Sequence, residues 1–359
     1  MAITSFQTGS ITLAASTPND LTNSATLGTT VTQANSILLI TARGGSNTVA
    51  HYNIRATLSS DGTTVTVTRP TSGSEVILNY QVIEASEFTV QHFETTISAS
   101  GTHNQTITSV DTSYSFPVSL GLSATGGSRS SDDFVSVRIT SATNAQLEVG
   151  SSSSITVSYQ VVEMSSSEIA SVQEVTTTIA AVTNDVTITS VDTAKSLIFA
   201  SSWTTTAGGN IVNRQMPILL FTSATNLRFQ TANNAATGMT VYAYVVEFVN
   251  LPVTHTLTSS LASTTTTEVL GATPTNGGAV INGLMGKFAA ANDNDDDSLE
   301  LMFTASLSGT TWTFERGAST TNADISYSVF DWADIFASGG GFQAAWAKNS
   351  NTVIQGGTL

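Results

Sequence analysis

Ile155–Glu163 reads ITVSYQVVE, and its pattern returns as Val76–Glu84 (VILNYQVIE), Met239–Glu247 (MTVYAYVVE) and Ile325–Asp331 (ISYSVFD). Apolar and polar side chains largely alternate in each copy, and Val, Ile and Tyr dominate. That is the period-2 signature of a strand with one buried face. Each copy closes on an acid, Glu84, Glu163, Glu247 and Asp331, at intervals of 79, 84 and 84 residues. A closing strand at a near-constant interval predicts a repeated domain rather than a repeated motif.

Outward from these strands, the second and third copies share more than a pattern. Ile107–Thr112 (ITSVDT) returns 81 residues later as Ile188–Thr193, and Ser141–Asn144 (SATN) returns 82 residues later as Ser223–Asn226. The first and fourth copies keep the strand pattern alone. In the first, Ser60-Asp61-Gly62 separates two alternating runs and signals a hairpin turn. Each repeat offers seven or eight short strands in about 80 residues, and no long stripe of helical period separates them. The expected fold is therefore all-β: four tandem small antiparallel β-sandwich-like domains over 1–85, 86–164, 165–248 and 249–331, with a C-terminal extension over 332–359. The joints between repeats are only a few residues long, which predicts a stiff rod or arc.

The bulk composition narrows the function classes. Hydrophobic residues make up 40% of the 359 but charged ones only 10%, so Ser, Thr, Asn, Gln and Gly must supply the polar surface. Twenty-six acids stand against 11 bases, a net charge of −15, and the arginines never cluster. Nucleic acid needs a basic footprint, and anionic lipid does too, so neither is an expected partner. There is no cysteine, which removes disulfides, thiolate nucleophiles and zinc–thiolate sites. The N-terminal stretch MAITSFQTGSITLA has neither the basic start nor the apolar run of a secretory signal, and no run of eighteen apolar residues predicts a membrane span.

Chemistry-bearing residues are few. His51, His92, His103 and His255 stand singly, and a position that takes His92, His255 or Glu174 is expected at the surface. Asp293, Asp295 and Asp297 alternate in an acidic run, and alternate acids in a loop can wrap calcium; no other cofactor is expected. Asp111 and Asp192 precede Thr in the repeated ITSVDT and are expected to fix a turn by bonding backbone N–H groups. The four closing acids fall one per repeat, so they do not form the facing carboxylate pair of a glycosidase. No nucleophile elbow, phosphate loop or dinucleotide fingerprint occurs, and a catalytic role is not expected. Phe342 and Trp346 follow the triple glycine Gly339–Gly341 and would be costly to leave in water, so they are expected to make an assembly contact.

The order of a V-Q-x opening strand, ITSVDT, SATN and V-x-Y-x-V-V-E resembles the small tandem β-domain virion structural proteins of tailed bacteriophages, of the tail and decoration type. The resemblance is clearest over 90–248 and does not cover 332–359. It implies a non-enzymatic protein exposed on head, neck or tail, assembled in the host cytoplasm and released by lysis. Its partners would be other virion proteins and copies of itself, a cyclic trimer being one form. The alternative is a host-surface or glycan-binding adhesin or tail-fibre component, with the strand residues Tyr80, Tyr159, Tyr242, Tyr244 and Tyr327 stacking on sugar rings. A polysaccharide depolymerase is the third reading.

Overall fold

A computed structural model describes residues 3–15, 21–44, 54–70, 73–124, 133–150, 154–203, 217–231, 239–282, 287–288, 302–317 and 322–336. These residues form several small antiparallel sheets joined by turns and short 3-10 segments. The first stretch holds β1 (Ser5–Leu13), β2 (Thr22–Thr26), β3 (Ser36–Gly44), β4 (Arg55–Leu58), β5 (Thr64–Thr68) and β6 (Val76–Glu84). The second holds β7 (Thr89–Ile97), β8 (Gly101–Thr106), β9 (Ser115–Ala124), β10 (Val135–Ser141), β11 (Asn144–Val149) and β12 (Ile155–Glu163). The third holds β13 (Ile169–Ile179), β14 (Thr183–Thr187), β15 (Ser196–Trp203), β16 (Ile218–Ser223), β17 (Asn226–Gln230) and β18 (Met239–Phe248). The fourth holds β19 (Val253–Leu261), β20 (Thr265–Val269), β21 (Gly277–Ile281), β22 (Lys287–Phe288), β23 (Thr304–Ser308), β24 (Thr311–Glu315) and β25 (Ala323–Asp331).

One pairing pattern recurs. The closing strand lies between the first and third strands of its stretch, in the orders β1-β6-β3, β7-β12-β9, β13-β18-β15 and β19-β25-β21. The remaining strands pair as β2-β5-β4, β8-β11-β10, β14-β17-β16 and β20-β24-β23. Among the described residues each stretch has six strands, with the two-residue β22 added in the fourth. The apolar runs are longer, not more numerous: β9 and β18 each span ten residues. The hairpin at Ser60–Gly62 forms as expected, with Gly62 at φ 67° and Asp61 Oδ1 accepting from the Thr63 N–H at 3.1 Å.

Being central, the closing strand is covered on both faces. One face looks into its own stretch: Ile155, Val157, Tyr159 and Val161 of β12 pack with Leu147 and Val137 of the facing sheet. The other face joins a cluster drawn from all four stretches. Ile83, Val162, Val246 and Phe330, which occupy equivalent positions, meet there with Ile37, Phe116 and Leu197 of the third strands. Each such side chain contributes roughly 1.5–3 kcal/mol on full burial. Trp332, 1% exposed, sits among Phe88, Phe248 and Phe330 at ring distances of 6.4, 6.4 and 5.0 Å. It begins the 3-10 turn Trp332–Phe336, so this aromatic group covers the shared cluster and not only its own stretch. Gly278 stands where the other stretches carry Ile37, Phe116 and Leu197. A Cβ there would come within 2.3 Å of the Phe330 ring.

The stretches therefore close into a ring instead of extending as a rod or arc. Asn79 Nδ2 of the first donates to the Ala305 carbonyl of the fourth at 2.9 Å, Ala305 N–H donates to Thr41 Oγ1 at 3.0 Å, and Arg43 pairs with Glu315 at 3.3 Å. The short joints set the neighbours, but the outward apolar faces of the four closing sheets decide the shape, because no stretch can cover its own. Between the first and second stretches the backbones themselves meet, with Arg55 of β4 paired to Gly121 of β9. Gly121 has φ 90°, and a Cβ on it would lie 2.2 Å from the Ile54 carbonyl oxygen, so only glycine permits this approach.

A shared core makes the stretches interdependent. Urea unfolding followed by far-ultraviolet circular dichroism and by tryptophan fluorescence is expected to give one coincident transition. Trp332→Ala should lower the unfolding free energy by about 3–5 kcal/mol, the usual cost of truncating a buried aromatic. Separate transitions for separate stretches, or a Trp332→Ala variant as stable as the parent, would contradict the shared core.

Candidate functional site

The closing acids and the repeated aspartates meet at the turn before the third strand. Glu163 Oε1 accepts from the Asp111 N–H at 2.7 Å, and Glu247 Oε1 from the Asp192 N–H at 2.8 Å. Glu84 Oε1 accepts from the Thr32 N–H at 2.7 Å, while Asp331 takes the Thr275 and Asn276 N–H groups at 2.6 and 2.8 Å. Within the turn, Asp111 Oδ1 accepts from the Ser113 N–H at 2.9 Å and Asp192 Oδ1 from the Ala194 N–H at 3.0 Å. Ser115 and Ser196 close it, donating to the Asp111 and Asp192 carbonyls at 2.7 and 2.8 Å. These carboxylates are thus occupied by backbone donors, which suits them to holding a turn rather than to moving protons.

The other polar side chains of the closing sheets bind the preceding stretch. Gln160 of β12 takes both backbone groups of Leu38, accepting from its N–H at 3.1 Å and donating to its carbonyl at 2.7 Å. At the equivalent position Gln81 of β6 donates to the Ala279 carbonyl at 3.4 Å. Tyr244 of β18 accepts from the Ile139 N–H at 2.8 Å and donates to Glu174 at 2.7 Å. Burial, with the Glu174 carboxylate beside it, holds that phenol well above its ordinary pKa. Glu174 also pairs with Arg138 at 2.7 Å. At the last junction Leu219 N–H donates to the Asn282 carbonyl at 2.8 Å and Ser326 Oγ to the Leu219 carbonyl at 2.8 Å. In these cases backbone groups of a third or fourth strand are bonded by an adjacent stretch. Unpaired, such a buried group would cost about 1–3 kcal/mol.

The histidine positions are junction residues, not surface ones. His92 Nε2 lies 3.2 Å from the Gln33 carbonyl and 3.0 Å from that of Ser36. His255 Nε2 lies 2.9 Å from the Thr193 carbonyl, its Nδ1 lies 2.7 Å from Ser328 Oγ, and Phe221 packs edge-on against the ring at 5.2 Å. The first-strand position opposite Gln160, Tyr244 and Ser328, on β7, β13 and β19, is where the sheet of one stretch meets the turn or edge of the one before, which is why His92, Glu174 and His255 are drawn inward. Tyr80, Tyr159, Tyr242, Tyr244 and Tyr327 are all at most 6% exposed. They offer no sugar-stacking platform, because a central strand covered on both faces has no outward side.

Cavities lie between stretches. One of about 120 Å³ lies where the first stretch meets the second and touches His92, Glu94 and Tyr159. A larger one, about 230 Å³, is lined by the third strands of all four stretches, through Leu39, Val118, Phe199 and Val280 among others. Its hydroxyls are spoken for: Thr41 Oγ1 accepts from Ala305, Ser201 Oγ accepts from the Val137 N–H at 2.9 Å, and Ser119 Oγ accepts from the Gly121 N–H at 3.4 Å. No cluster of three or more metal-ligating side chains occurs among the described residues, and none of their helices is long and apolar enough to cross a membrane. Asp293, Asp295, Asp297, Phe342 and Trp346 lie outside the described residues.

Replacing Asp111 or Asp192 by Ala should each cost about 0.5–2 kcal/mol in urea titrations, the scale of a lost local cap. A variant with unchanged stability would remove the turn role. A second expectation concerns pH. Burial holds the His92 and His255 imidazoles below their ordinary value of 6.5. The unfolded chain therefore binds more protons than the folded one below that value. Their contribution is fully present above pH 6.5 and declines as pH falls through it. The urea midpoint should drop between about pH 8 and pH 5, and drop less in a His92→Gln, His255→Gln variant; equal drops would absolve the histidines. Compared with protein-family models and with curated proteins, the chain finds no match in either.

Proposed function

We propose that this chain is a non-enzymatic structural protein of a bacteriophage virion, exposed on head, neck or tail and held there by protein–protein contacts. On this reading the four stretches are β-sandwich domains over 1–85, 86–164, 165–248 and 249–331, followed by an extension over 332–359. The observation that carries it is the use made of the polar chemistry. The closing acids, the junction histidines, Gln160 and Tyr244 bind backbone or neighbouring stretches. A chain built this way spends its functional groups on rigidity, as a particle component must. The resemblance over 90–248 supplies the particle. Assembly in the host cytoplasm and release by lysis belong to the same reading, as does self-association, with a trimer as one form.

Particles purified from a lysate test the reading. Immunogold labelling with an antibody against the chain should decorate them, and quantitative mass spectrometry should return the chain at a fixed copy number. Purified particles without the chain overturn it. A glycan array should stay blank, since the strand tyrosines face inward; strong, specific glycan binding would favour the adhesin reading instead.

A further inference from the structure

The first–second and third–fourth junctions each carry a histidine held in the same way. His92 Nε2 lies 3.2 Å from the Gln33 carbonyl and 3.0 Å from the Ser36 carbonyl, and His255 Nε2 lies 2.9 Å from the Thr193 carbonyl. A carbonyl only accepts, so each ring keeps a proton on Nε2, and the neutral imidazole carries its lone pair on Nδ1. The two rings differ at that second nitrogen. His255 Nδ1 lies 2.7 Å from the Oγ of Ser328, its neighbour across the strand pair. The residue across from His92 is Gln160, whose amide is spent on both backbone groups of Leu38. His92 Nδ1 is left buried, with no hydrogen-bond partner.

We propose that the junction between the first and second stretches is an acid-sensitive seam, which protonation of His92 opens before the junction at His255 gives way. A buried lone pair without a partner is tolerated in the neutral ring. A buried N–H without a partner on a charged ring is far more costly, because a hydrogen bond and the solvation of the charge are then both missing. Protonated His92 still gives its Nε2 proton to Gln33 and Ser36, but its second donor has no acceptor. Protonated His255 has one: Ser328 Oγ, whose own proton goes to Asn282 Oδ1 at 2.7 Å. Burial lowers both imidazoles, against the pull of the carbonyls, so the acceptor is what separates them.

The charged groups around His92 do not supply that acceptor. Glu94, two residues along β7 with 47% of its side chain exposed, faces Arg55 of β4 at 3.4 Å. Glu84 takes the Thr32 N–H beside the turn, and Glu163, further along β12, takes the Asp111 N–H. Gln33–Asn35, Ser36 and Gln160 bring no charge. The cavity of about 120 Å³ at this junction touches both His92 and Glu94, so water has a short path to Nδ1 once the ring moves. The closed seam is fully favoured above the ordinary imidazole value of 6.5 and loses ground as pH falls through it, because the opened state takes up the proton first. Opening breaks the Gln160 bonds to Leu38 and uncovers Ile37 and Val162 of the shared cluster, while the joint Ala85–Phe88 keeps the two stretches tethered. This device goes beyond the virion reading and does not rest on it.

Hydrogen exchange of the full-length protein tests it, because each junction carries a backbone N–H bonded across it. Leu38 N–H goes to Gln160 Oε1 at 3.1 Å, and Leu219 N–H to the Asn282 carbonyl at 2.8 Å. Exchange is read at single residues by mass spectrometry at about pH 7.5 and about pH 5.5, and corrected for its intrinsic pH dependence. Protection of Leu38 should fall by roughly tenfold, the limit for an ordinary imidazole protonated only in the open state, and that of Leu219 by much less. In His92→Gln the protection of Leu38 should be equal at the two pH values, whereas in His255→Gln its loss should persist. If His92→Gln opens the seam at both, nitrogen-15 spectra of the parent decide: His92 Nδ1 should gain its proton over the same pH range in which Leu38 loses protection. Unchanged protection of Leu38, equal losses at Leu38 and Leu219, a loss that survives in His92→Gln, or an Nδ1 titration outside that range each overturn the proposal.

Discussion

The structure depends on one constraint: a three-stranded sheet whose middle strand is apolar on both faces cannot be satisfied by a single partner sheet. The facing sheet of the same stretch covers Tyr159 and Val161; Val162 instead packs in a cluster shared with the other three stretches. Four stretches with the same unmet face solve the problem for one another by meeting at a common centre. Once they do, the free edges of the fourth strands come to lie against neighbouring sheets, and each exposed N–H must find an acceptor there. The junction side chains follow from that geometry.

Equivalent needs are met by unlike residues. The N–H of Ala305 finds the Thr41 hydroxyl, that of Val137 finds the Ser201 hydroxyl, and that of Leu219 finds the Asn282 carbonyl. At the remaining junction Gly121 removes its own side chain so that two backbones can pair directly. What is kept around the ring is the position and direction of the bond, not the group that makes it. Ion pairs at the rim, Arg43–Glu315, Arg55–Glu94 and Arg138–Glu174, add little by themselves, since such partly exposed pairs contribute about 0–1 kcal/mol each.

The closing strands, the turn at Ser60–Gly62 and the bonding of Asp111 and Asp192 were legible in the sequence because each is a local event, decided within a few residues. The ring was not, because its bonds join distant parts of the chain, Thr41 to Ala305 among them. A trace of it was nonetheless present. Strict alternation fails at the ends of the closing strands, in Val82-Ile83, Val161-Val162, Val245-Val246 and Val329-Phe330. Consecutive apolar residues in a strand mean cover on both faces, and they forecast a second buried side. His92 and His255 were misplaced for the same reason: polar tips on such strands point into junctions, and no local pattern separates a junction from a surface. The axial cavity belongs to four third strands at once and has no signature in any one of them.

The joints between stretches gain a second meaning from the ring. Only four residues, Ala85–Phe88, lie between β6 and β7, and four more, 249–252, between β18 and β19. A ring assembled from four separate chains would dissolve on dilution, each loss making the next easier. Tethers this short hold neighbouring stretches at effective concentrations on the order of millimolar whatever the bulk dilution. Closure between the first and last stretches is then a unimolecular event, so the ring persists at protein concentrations where individually weak junctions, such as the 3.4 Å contact of Gln81, would never form between free partners.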